Sequence, residues 1–103
     1  MKSLSTLLKV AQRKLDELGV EVARIAQDIN ALHEREASVR AREQAELANS
    51  TRDPTFASML PAYRLRVKWQ IDDIKVQIAA KEASLAEVRE RLSAAYIEKS
   101  KFE

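Results

Sequence analysis

The chain has 103 residues, with one glycine, two prolines, no cysteine, 33% charged residues and 5% aromatics. Roughly 100 to 200 residues make one domain, so a single unit is expected, and so few turn residues leave no room for a loop-built catalytic cleft. The missing thiols exclude disulfides, thiolate metal sites and cysteine nucleophiles, and the 18 basic and 16 acidic side chains are interspersed, so the formal charge of +2 marks no strong polyanion binder.

The hydrophobic share is 46%, and alanine, leucine, glutamate, lysine and arginine dominate, which is the composition of long helices or a coiled coil. No apolar run approaches the roughly 18 residues of a membrane-spanning helix. The start, Met1 to Leu8, lacks the apolar core and small-residue cleavage site of a secretory signal. A soluble, cytoplasmic protein is expected.

In chain order, Ser3 is the first helix signal, an N-cap residue ahead of an apolar repeat. Leu4, Leu8, Ala11, Leu15, Leu18, Val22, Ile25, Ile29 and Leu32 follow, stepping by four and three. This is a heptad seam, and it predicts a first helix over about 3–48. Beyond Leu32 the seam positions become Glu36, Val39, Glu43 and Glu46, so carboxylates enter the helix contact. Gly19 lies within this helix, on the flank of the seam, and costs it about 1 kcal/mol relative to alanine.

The cluster Asn49-Ser50-Thr51-Arg52-Asp53-Pro54-Thr55 reads as a turn, extending over about 49–60. Asp53 and Pro54 form a good cap and first-position pair, but a helix begun there would meet Pro61 in its interior. With Ser58 as the cap, Pro61 falls in the tolerant first turn, so the second helix is expected to begin between Ser58 and Pro61 and to run to about 103. Its seam is Val67, Ile71, Ile74, Ile78, Lys81, Leu85, Val88, Leu92, Ala95, Lys99 and Phe102.

Two helices of about 45 residues, each about 65 to 70 Å at 1.5 Å per residue, joined by a short connection, fold back on each other. The expected fold is all-α, with two long helices forming an antiparallel coiled-coil hairpin over 1–103. Facing residue numbers then have a constant sum, and both 103 and 110 align the apolar positions equally well. A sum of 110 is preferred, because it brings Lys14 near Glu98, Glu21 near Arg91 and Glu46 opposite Arg64, whereas 103 brings Lys14 near Arg91. A parallel dimer of the same helices would use the same seams.

Catalytic patterns are not found. His33 is the only histidine, and the sequence after it supplies neither the second histidine of a zinc protease helix nor the repeated Glu-x-x-His of a di-iron bundle. One glycine rules out a phosphate-binding loop. No enzyme activity, cofactor or metal is expected. Arg40, Arg42, Arg52, Arg64, Arg66 and Lys68 cluster toward the turn, but Glu34, Glu36, Glu43, Glu46 and Asp53 interrupt them and no aromatics interleave, so nucleic acid is not an expected partner.

Trp69 falls on the side of its helix away from the seam, with Leu65 four residues before and Val76 seven after; Ala80 and Ala83 extend this stripe. A hairpin buries one seam, so a second stripe serves either self-association or the docking of a partner. Packing of a stray tryptophan along Arg and Lys stems is the plainer reading. Charges inside the seams, Glu36 and Glu43 near the turn and Lys81 midway, weaken the hairpin there, so a partner or homo-oligomer would stabilise it.

Three stretches resemble the FliJ proteins of the bacterial flagellar type III export apparatus. They are the run from Ser3 to Glu17 (SLSTLLKVAQRKLDE), the turn Asp53-Pro54-Thr55-Phe56, and the end from Ala95 to Glu103 (AYIEKSKFE). The resemblance implies a cytoplasmic antiparallel coiled coil, similar to the central stalk of rotary ATPases. Such a chain would regulate the hexameric flagellar export ATPase, contact the membrane export gate at the inner face of the cell membrane, and help handle export chaperones. By that analogy the paired termini enter the ATPase ring, making Arg13, Lys14, Lys99 and Lys101 candidate ring contacts. Leu65, Trp69 and Val76 become candidate gate or chaperone contacts. A generic coiled-coil adaptor or dimerisation module, including the stalk proteins of virulence secretion, is the alternative reading.

Overall fold

In the computed structural model, residues 3–103 are described. The chain is all-α and folds as an antiparallel helical hairpin of two long helices, α1 (Leu4–Ser50) and α2 (Pro54–Ser100), of 47 residues each. Ser3 caps α1 as expected: its Oγ accepts a hydrogen bond from the Thr6 N–H at 3.2 Å, and its carbonyl accepts the first helical bond, from Leu7 N–H.

The turn is much shorter than the expected 49–60. Only Thr51, Arg52 and Asp53 separate the helices, so α1 runs past 48 to Ser50 and α2 begins at Pro54 rather than between Ser58 and Pro61. Asp53 is the cap. Its Oδ1 accepts from the Thr55 N–H at 2.9 Å and its carbonyl from the Ala57 N–H, while Pro54, which has no N–H to leave unpaired, takes the first helical position. Ser58, the expected cap, lies inside α2 and donates its hydroxyl to the Thr55 carbonyl at 2.8 Å. Pro61 is tolerated within α2 because it lies on an exposed face, as does Ala57, whose carbonyl loses its usual donor to Pro61 and can bond water instead.

Neither helix uses glycine to stop. At the end of α1, Ser50 Oγ donates to the Leu47 carbonyl at 2.7 Å and Thr51 Oγ1 to the Ala48 carbonyl at 2.8 Å, occupying acceptors that have no helical donor. α2 ends at Ser100, short of the expected 103. Ser100 Oγ donates to the Tyr96 carbonyl, and Lys101, Phe102 and Glu103 make bonds to carbonyls three residues back, a tightened final turn.

Packing divides the expected single unit into two compact ones. Unit 1 pairs residues up to Asp28 with Lys81–Glu103; unit 2 is Ile29–Ala80 and contains the turn. In unit 1 the buried residues are Ala11, Leu15, Ile25, Val88 and Ala95, all of them seam positions. In unit 2 they are Leu32, Val67, Ile71, Ile74 and Ile78, with Val39 packed against the cluster of Leu32, Ile74 and Ile78. Ile74 is fully buried at 0% exposure.

Within unit 1, Lys81 Nζ donates to Asp28 Oδ2 across the two helices at 3.0 Å. Their residue numbers add to one less than 110 and six more than 103, so this pair supports the 110 alignment. The pairs expected to favour that alignment are not the ones made. Arg91 bonds Glu87 on its own helix at 2.6 Å, and Glu98 bonds Lys101 at 3.6 Å. These side chains are more than half exposed, where short-range pairs along one helix compete well with pairs across the hairpin. Lys81, expected to weaken the seam, is satisfied by Asp28 instead.

Gly19 is exposed and has no positive φ; a Cβ added there would meet nothing within 4 Å. Gly19→Ala is therefore expected to stabilise the hairpin by about 1 kcal/mol through helix propensity. The check is chemical denaturation followed by circular dichroism, with the midpoint rising at unchanged slope.

Candidate functional site

Two surfaces follow from this framework, one in each unit. In unit 1, the first turns of α1 and the last turns of α2 belong to the same packed body, so Arg13, Lys14, Lys99 and Lys101 share one unit. Arg13 and Lys14 are exposed, and neither makes an ion pair among the described residues. Lys14 lines a shallow cleft with Leu18, Glu21, Arg91 and Ala94. Lys99 is different. It holds a seam position, is half-buried, and bonds Glu103 at 3.3 Å, while Lys101 is exposed and bonds Glu98. The two α1 cations are thus the freer ones for a partner.

In unit 2, Leu65 is 46% exposed, Trp69 61% and Val76 68%. All three project from α2 away from the buried seam, as their heptad positions require. Beside them a groove of about 520 Å³ is lined by Arg40 of α1 and by Arg64, Leu65, Lys68, Asp72 and Lys75 of α2. No family model, curated protein or solved structure matches the chain.

One feature of unit 2 lies outside the predicted seam. The α2 seam does not begin at Val67 but continues back through Tyr63 and Leu60, which are half-buried, to Phe56. Phe56, Met59, Leu60 and Tyr63 face Glu46 and Ser50 of α1 across a cleft of about 250 Å³. The cleft is mismatched: α2 offers apolar side chains where α1 offers Glu46 and Ser50. The signal was available as the spacing 56, 60, 63, 67, but it is visible only once α2 is allowed to run through Pro61.

His33 is exposed, and among the described residues no group of three or more His, Cys, Asp or Glu side chains is placed to hold a metal ion. No described helix is long and apolar enough to cross a membrane.

Proposed function

We propose that the chain is a non-enzymatic coiled-coil component of the flagellar type III protein export apparatus. It acts as a central-stalk-like regulator of the hexameric export ATPase and as an escort for export chaperones, working on the cytoplasmic side at the export gate. The reading starts from the resemblance to FliJ proteins. The observation that supports it best is that the first part of α1 and the last part of α2 share unit 1, with Arg13 and Lys14 exposed on it and in no ion pair among the described residues. A helical hairpin whose paired ends carry free cations is suited to enter a ring lined with carboxylates, where complementary charge guides entry and fixes orientation.

The test is stimulation of the export ATPase by the full-length chain. Charge reversal at Arg13→Glu with Lys14→Glu is expected to weaken half-maximal stimulation by roughly 10-fold or more, about 1.4 kcal/mol, with helicity unchanged. Unaltered stimulation removes the ring assignment. A wild-type chain that neither binds nor stimulates the ATPase, together with normal swimming of a deletion strain, removes the export reading itself.

A further inference from the structure

The exposed stripe of α2 in unit 2 has a second row beside it. Each apolar member is immediately preceded by a cation: Arg64 before Leu65, Lys68 before Trp69, and Lys75 before Val76. One residue turns a helix by 100°, so these three cations form a row parallel to the stripe with the same spacing of four and seven. They line the groove beside Leu65, and Arg40 of α1 closes its other side. Arg40 is held by Glu36 at 3.6 Å, but Arg64, Lys68 and Lys75 make no ion pair among the described residues. Only Glu43 and Asp72 offset four cations in the lining. Uncommitted charge of one sign beside exposed apolar side chains is an interaction surface with a stated complement.

We infer that this double row docks an amphipathic helix of a protein partner, its apolar side on Leu65, Trp69 and Val76 and its acidic flank over Arg64, Lys68 and Lys75. Two other occupants fit less well. An anionic membrane surface is flat, whereas the cations line a groove between α2 and Arg40 of α1. In a second copy packed antiparallel on the stripe, like flanks meet, so the cation row would oppose its own equivalent. Packed parallel, it would face a flank carrying Arg66 and Asp73, which offers no net charge.

The inference rests on reading Leu65, Trp69 and Val76 as the partner-facing stripe. It fails separately from the export reading, which the ATPase assay on Arg13 and Lys14 decides.

Trp69 is the only tryptophan, so its emission reports occupancy directly. The probes are two synthetic amphipathic helices with the same leucine stripe, one flanked by glutamates and one by lysines, titrated against the full chain. The glutamate-flanked peptide is expected to shift Trp69 emission to the blue with saturation, and the lysine-flanked one to bind roughly 10-fold or more weakly. Arg64→Glu with Lys68→Glu is expected to reverse that preference at unchanged helicity. Should that variant fail to fold, Arg64→Gln with Lys68→Gln is expected to abolish the preference. Equal binding of both peptides overturns the inference. So does a Trp69 shift produced by phosphatidylglycerol vesicles and not by peptide, or self-association that buries Trp69 before any peptide is added.

Discussion

Ile74→Ala is expected to destabilise the hairpin by about 2 to 5 kcal/mol, the range for removing a large aliphatic side chain from a packed core. Ile74 is the one fully buried side chain of its size among the described residues, and it sits in a cluster with Leu32 and Ile78. A hairpin has few layers, and a methyl left in place of that side chain cannot be covered by neighbours on a third side. Thermal unfolding followed by circular dichroism should show a large drop in midpoint. Trp69→Ala, by contrast, should leave the midpoint nearly unchanged, because Trp69 is 61% exposed. If the two variants lost similar stability, the assignment of inner and outer faces of α2 would be wrong.

Pro61→Ala is expected to act in the opposite direction, stabilising by about 1 to 3 kcal/mol. Proline in a helix interior costs about 3 kcal/mol relative to alanine, because the Ala57 carbonyl regains a donor and the ring no longer crowds the preceding turn. Two terms reduce the gain. Ala57 is an exposed residue, so water can serve its carbonyl in place of the lost donor, and replacing proline increases the freedom of the unfolded chain by about 0.4 to 1 kcal/mol. The result separates two starts for α2. With Asp53 as the cap, Pro61 is interior and alanine stabilises; with Ser58 as the cap, Pro61 would lie in the first turn and alanine would gain little. Asp53→Ala should cost about 1 kcal/mol in the first case and nothing in the second.

The inner faces of both helices were legible because a heptad seam is a local, repeating signal. Each position from Leu8 to Leu32 and from Val67 to Phe102 that the spacing placed inward is buried or half-buried. Leu4 is the exception at the end: at 58% exposure it lies beyond the reach of the opposing helix. The outward placement of Leu65, Trp69 and Val76 followed from the same count. The start of α2 was not legible because Pro61 reads locally as a breaker, whereas Leu60 and Tyr63 on either side of it are half-buried against α1, a placement that depends on the opposing helix. The candidate cations were legible as charges only. That Lys99 is half-buried and bonded to Glu103 while Arg13 and Lys14 are uncommitted depends on side-chain placement.

The amino-acid sequence alone determined that the chain is helical, that the helix breaks once within about 49–60, and which stripe of each helix turns inward, because these follow from composition, turn residues and a period of three and four residues. Tertiary structure decided the rest. It paired Arg91 with Glu87 and Glu98 with Lys101 along α2 rather than with Glu21 and Lys14 across the hairpin, extended α2 through Pro61, and set the apolar side chains Phe56, Leu60 and Tyr63 against Glu46. The physical reason is common to all three. Each is a competition between a local preference and a contact made across two helices, and its outcome depends on distances between residues far apart in the chain.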